Sequence, residues 1–210
     1  MKLWSVTPGS WKGETCFIIG GGPSLPVDLV PYLGSQGRVI AVNNAYKLAP
    51  LADITYSADY DWFLWHRRNL HSYIGPLLLM RADLPPLTGC KRVVRRIMHI
   101  GGPRLSRDPA RIAGWCSGSN ALNIAYLAGA ERIILLGFDM RPGHWHDEHK
   151  KETPPHRYQD RYIPHFEAMA DELKNEPVTV LNASPGSAMT CFPIVDPRDV
   201  IQTAEAAVAV

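Results

Sequence analysis

Two groups of residues in this chain have the types and spacing to do chemistry. The first is Gly20-Gly21-Gly22-Pro23-Ser24-Leu25, placed directly after an apolar run and before a stretch that can turn helical. Glycines let a turn tighten and let a ligand reach the backbone without meeting a Cβ. A helix starting beyond it would offer free N–H groups and partial positive charge, which suit a phosphate. The spacing excludes the dinucleotide fingerprint, because Leu25 stands three after Gly22, and it excludes a Walker loop, because no Gly-Lys-Ser/Thr follows. Asn43 and Asn44 close the second apolar run. Carboxamides at the carboxyl end of a parallel strand face the crevice where such folds bind ligands. They can meet a base or ribose as donor and acceptor, and Asn44 also suits an Asx turn capping the next helix. Asp59, after the third run, has the chemistry of a helix cap, a ribose partner or a metal ligand.

The second group is the stretch 141–149, Arg-Pro-Gly-His-Trp-His-Asp-Glu-His. His144, His146 and His149, beside Asp147 and Glu148, are ligand types for a divalent metal. In an extended segment His144 and His146 point the same way, and His149 can return on a turn. The spacing matches no standard zinc signature, so a solvated loop stands as the alternative. A histidine near a transferring group also serves as general base at neutral pH, and His146, His156 and His165 are the candidates. Arg92, Arg95, Arg96, Arg104, Arg107 and Arg111 suit an anionic acceptor or simply a solvated face.

These residues need a scaffold, and the apolar runs predict one. Strands are expected at Thr15–Ile19, Arg38–Val42, Ile54–Ser57, 77–80, 93–98, Arg132–Leu136 and 178–181. Several are continuous rather than alternating, as strands buried on both faces are. Helices are expected at 25–32 with Ser24 as N-cap, at 59–70, at 117–127 with Ser117 or Ser119 as cap and Gly129 as stop, and at 163–174; Asp196 is expected to cap a last one. Strands alternating with helices give an α/β, Rossmann-like fold, a mostly parallel sheet with helices on both faces. One domain over 1–210 fits the length, with a histidine-rich lid at about 140–164, where apolar periodicity stops. The segment 84–111, rich in Pro, Gly and Arg, breaks the pattern too.

The net charge of +2 argues against a general nucleic-acid surface, and no run reaches the roughly 18 apolar residues of a membrane span. The four cysteines are far apart and form no C-x-x-C pair, so the expected setting is the reducing cytoplasm.

Gly20 to Leu25, Asn43-Asn44-Ala45-Tyr46, Ala52 to Tyr56 and Asp59 together resemble the opening of bacterial sialyltransferases that carry a Gly-x-Gly-Pro-Ser-Leu motif. They equally resemble the archaeal hydroxymethylpterin pyrophosphokinase-like family and its bacteriophage relatives. A second block, Ser117 to Asn120 and then Ala128 to Asp139, is similar to the same superfamily's Ser-Gly, long helix and final Gly-x-Asp. The resemblance implies nucleotide binding by Gly20, Gly21, Gly22, Ser24, Asn43, Asn44, Asp59, Ser117, Gly118 and Asp139. It further implies phosphate-holding tyrosines, for which Tyr158 and Tyr162 are the candidates, the alternative being two aromatics packed at a helix start. The activity implied is glycosyl transfer from a sugar nucleotide to an anionic or hydroxyl acceptor. Two alternatives are an ATP-dependent pyrophosphokinase acting on a pterin-like alcohol and a non-catalytic nucleotide-binding or phage accessory protein. The kinase alternative calls for magnesium, with Asp59, Asp61 and Asp139 as its carboxylates; the glycosyl-transfer reading names no cofactor.

Overall fold

In the computed structural model, which describes residues 5–73, 75–79, 94–148 and 153–203, the apolar runs are strands. They are β1 (Thr15–Ile19), β2 (Arg38–Val42), β3 (Ile54–Ser57), β4 (Leu77–Leu79), β5 (Val94–Arg96), β6 (Met98–His99), β7 (Arg111–Ile112), β8 (Arg132–Leu136) and β9 (Thr179–Asn182). Seven of them form one sheet in the order β5-β4-β3-β2-β1-β8-β9, with every neighbouring pair parallel. The order runs one way from β1 to β5 and the other way through β8 to β9, so the topology reverses at the carboxyl ends of β1 and β8.

Alternate residues of each central strand feed two cores. Cys16 and Ile18 pack on one face with Ile40, Ile133 and Leu135, while Phe17 and Ile19 pack on the other with Val39, Ile134 and Leu136. Helices α2 (Ser117–Ala128) and α3 (Ile163–Leu173) cover the first face; α1 (Tyr60–Ser72) and a 3-10 helix at Val27–Ser35 cover the second. The fold is therefore α/β and Rossmann-like, doubly covered as the continuous apolar strands require.

Four local expectations are corrected. The segment after the glycine turn is a 3-10 helix starting at Val27, because Pro26 precedes it and Pro31 inside it has no N–H to give an α-helical ladder. Ser24 is not its cap. The N-cap of α2 is Cys116, whose sulfur accepts from the Ser119 N–H while the Ser119 hydroxyl accepts from the Cys116 N–H. The run predicted as one strand over 93–98 divides: β5 joins the main sheet, and beyond the buried Ile97, β6 pairs with β7 in a separate ribbon. Gly129 does stop α2, in the left-handed conformation at φ 86°, and Asp196 caps α4 (Pro197–Val200) through the Arg198 N–H. Among the described residues no helix is long and apolar enough to cross a membrane. Cys16, Cys116 and Cys191 are free thiols, and Cys90 lies outside the described residues.

Candidate functional site

A cleft of about 770 Å³ opens at the carboxyl ends of β1, β2, β3 and β8. This is the reversal point of the sheet, where the two connections leaving β1 and β8 diverge to opposite faces and leave a crevice. Gly20, Gly21, Gly22, Asn43, Asn44, Asp59, Ser117, Gly118, Asp139, Tyr158, Tyr162, His144 and His146 all line it. Ser24, His156 and His165 do not. His149 lies outside the described residues.

The glycine turn differs from an open phosphate cradle. Three of its N–H groups turn inward: Gly20 donates to Leu136 O at 2.7 Å, Gly22 to Gly137 O at 2.8 Å and Leu25 to Gly22 O at 3.2 Å. The Ser24 N–H is shared between the two oxygens of Asp139 at 3.3 Å, and the Ser24 hydroxyl donates to Oδ2 at 2.8 Å. Asp139, 1% exposed, thus clasps the turn to the end of β8. The glycines serve this packing, since a Cβ on Gly22 would overlap Oδ2 of Asp139 and lie 2.7 Å from Gly137 O. Gly118 is likewise filled from within the protein, the Phe138 ring standing 2.7 Å from where its Cβ would be. Behind this segment the polar turn after β9 holds Phe138: Ser184 Oγ accepts from its N–H and Ser187 Oγ donates to its carbonyl, each at 2.7 Å.

The histidine-rich segment lies over the turn. Trp145 N–H donates to Gly21 O and His144 Nδ1 meets the same oxygen, both at 3.2 Å. His146 Nε2 sits 3.1 Å from Asn44 Nδ2, and Glu148 pairs with Lys47. The rings of His144 and His146 stack with centroids 5.6 Å apart. No group of three histidine, cysteine or carboxylate side chains suited to a metal occurs among the described residues.

Asn43, the first residue after β2, lies in the left-handed region at φ 51°, which Asn tolerates better than most residues. Its Oδ1 is buried with no hydrogen-bond partner. Asn44 is fixed differently: its Oδ1 accepts from the indole N–H of Trp62 at 2.8 Å. Ser117 Oγ accepts from the Ala58 N–H at 3.1 Å and reaches Asp59 Oδ2 at 3.5 Å, tying the ends of β3 and the start of α2 together.

The opposite wall comes from a π-helical turn, Tyr158–Tyr162, leading into α3. Tyr158 and Tyr162 pack edge to face at 5.8 Å, and burial raises both phenols above their usual range. Arg141, Arg157 and Arg161 line the cleft, and Arg161 lies 4.9 Å over the Trp115 ring. Of the arginines named from sequence, Arg104, Arg107 and Arg111 lie outside it; Arg107 pairs with Glu172 and Glu176, and Arg111 with Asp108. Arg92 lies outside the described residues, and the side chains of Arg95 and Arg96 do as well. Sequence reasoning missed the aromatic wall of Trp62, Trp65 and Trp115, for which no local pattern exists to find it.

His165 is 1% exposed with both ring nitrogens lacking a partner, and it lies against Trp115 at 5.7 Å. Burial, with His99 and Arg161 adding to it, pushes its pKa down to about 4. His156 is exposed. Of the three histidines expected as base, His146 alone reaches the cleft.

No family model matches the chain, and no curated protein matches it in sequence. Among solved structures, the sialyltransferase CstII from Campylobacter jejuni, in complex with a substrate analogue, cytidine-5'-monophosphate, superposes with a TM-score of 0.54. Identity is 14%, over 91% of this chain and 88% of that chain, which makes the likeness one of fold.

Proposed function

We propose that this chain is a nucleotide-dependent transferase, most simply one that transfers a glycosyl group from a sugar nucleotide to a hydroxyl or anionic acceptor. The observation that carries this reading is Asn43, a cleft residue at the reversal point of the sheet whose buried Oδ1 has no donor to satisfy it. A buried acceptor left unpaired costs about 1–3 kcal/mol, which a base amino group or ribose hydroxyl would offset once the Asn43 side chain turns into the cleft. The sialyltransferase of similar fold was solved in complex with a cytidine nucleotide, which supports nucleotide binding. Tyr158, Tyr162, Arg157 and Arg161 line the cleft and would supply donors for a leaving phosphate, and His146, which lines it too, is the candidate base.

A thermal-shift panel of CMP, UDP, GDP and ATP, each with and without magnesium, tests it. At a hundred times its Kd a ligand adds about 2.7 kcal/mol, which for a chain of this size is a rise of about 5–10 °C in Tm. Stabilisation by CMP without metal is expected. Stabilisation only by ATP with magnesium would transfer the reading to pyrophosphate transfer, with Asp59, Asp61 and Asp139 as the carboxylates in the cleft; no response to any nucleotide would refute both.

A further inference from the structure

A large apolar side chain stands in the polar stretch 141–149, and it faces away from the cleft. His144 and His146 line the cleft, their rings stacked with centroids 5.6 Å apart. Trp145 between them turns to the other side, as alternate residues of an extended chain do, and packs against the core that holds Phe17, Ile19 and Leu25. Its indole meets the His146 ring edge to face at 4.5 Å, so the buried ring backs the ring in the cleft wall. The main chain is pinned at the same residue, where the Trp145 N–H donates to Gly21 O at 3.2 Å. The indole Nε1, in contrast, is buried without a hydrogen-bond partner among the described residues. A buried N–H that bonds nothing contributes only its cost, so this side chain acts through its apolar area. The ion pair of Glu148 with Lys47 adds little, because the Glu148 side chain is 60% exposed.

We propose that Trp145 anchors the lid: its indole, packed on the second core, holds residues 143–148 shut over the glycine turn through contacts within the chain. The effect is felt at Gly21, where His144 Nδ1 lies 3.3 Å from the place a Cβ would take, so the outer side of the turn is covered. His144 and His146 are then a fixed wall of the cleft, positioned by a residue that does not itself line it. The anchor stands on its own geometry; that the wall faces a nucleotide rests on the function proposed above.

Carbethoxylation by diethyl pyrocarbonate, followed residue by residue by mass spectrometry, reads the lid in Trp145→Ala, Trp145→Phe and Lys47→Met. The chain carries its own standards. His156 is exposed and sets the unprotected rate, while His165, 1% exposed on α3, reports on the integrity of the fold. Both ring nitrogens of His146 are engaged, Nδ1 by the Glu148 N–H and Nε2 by Asn44, so in the parent it should react more slowly than His156. Trp145→Ala should raise the His146 rate about tenfold or more, toward that of His156, while His165 stays unreactive. Phenylalanine keeps an apolar ring and removes the unpaired N–H, so Trp145→Phe should retain the parent's protection, and Lys47→Met should too. An unchanged His146 rate in Trp145→Ala overturns the anchor, as does protection lost in Trp145→Phe or in Lys47→Met. Should Trp145→Ala expose His165 and so prove unfolded, the other two variants decide: protection kept in both supports the anchor, and protection lost in either refutes it. Nucleotides separate this proposal from the one before it. Variants that behave as expected in a protein whose Tm is raised by none of CMP, UDP, GDP and ATP keep the anchor and sink the proposed function; nucleotide binding with an unchanged His146 rate in Trp145→Ala does the reverse.

Discussion

Asp139 separates a ligand-contacting carboxylate from one that builds the site, and Asp139→Ala tells them apart. In the structure its oxygens are occupied by Ser24, through a hydroxyl bond of 2.8 Å and a shared N–H at 3.3 Å, with Arg141 Nη2 at 3.5 Å. A hydrogen bond to an ionised group contributes about 1.5–3 kcal/mol. The short hydroxyl bond counts in full, the shared N–H counts for less, and the Arg141 contact, exposed on its side, for little. Removing the carboxylate also relieves the cost of burying its charge, so the net loss should be about 2–4 kcal/mol. In a chain of this size that lowers Tm by about 5–15 °C. Urea and thermal unfolding, run beside Asp139→Asn, provide the assay. The asparagine keeps one acceptor oxygen but turns an NH₂ toward Ser24's donors, so it should recover only part of the loss. A stability change below about 0.5 kcal/mol, with nucleotide affinity falling sharply, would show that Asp139 serves the ligand and that the clasp reasoning is wrong.

Two further outcomes follow from packing and burial. The His165 imidazole, held neutral near pKa 4 against 6.5 when unfolded, is protonated earlier in the unfolded chain. Its contribution is therefore complete above about pH 6.5 and is lost as pH falls through the window toward 4, by up to about 3 kcal/mol. Urea midpoints between pH 7 and 4.5 should fall less steeply in His165→Phe than in the parent, and equal slopes would contradict the assignment. Gly118→Ala forces a Cβ to within 2.7 Å of a Phe138 ring that is itself packed edge to face on Phe166 at 6.0 Å. Overpacking of this kind costs about 1–3 kcal/mol, read as a lower urea midpoint; a neutral substitution would mean that the ring can move aside.

Much of the scaffold was legible along the chain. The strands at Thr15–Ile19, Arg38–Val42, Ile54–Ser57 and Arg132–Leu136 fall where their apolar runs do, because a strand buried on both faces needs nothing but apolar residues between its turns. Gly129 ends α2 for an equally local reason, the left-handed backbone that glycine adopts without penalty. That Gly20, Asn43, Asp59, Ser117 and Asp139 would meet was also legible, since each closes a parallel strand or opens the helix beyond one.

What each group does there was decided only in three dimensions. Ser24 looked like a helix cap, but its partner is a carboxylate 115 residues away. The glycines of the turn looked like room for a ligand, and that room is largely taken by Gly137, Phe138 and Asp139. Three histidines were equal by residue type until folding buried His165, left His156 in solvent and laid His146 against Asn44. The Trp62 indole that sets the Asn44 amide left no trace in any pattern. Periodicity and turn chemistry are local and can be read from neighbouring residues; the direction of a hydrogen bond depends on a partner brought in by the tertiary fold, and direction is what assigns donor and acceptor.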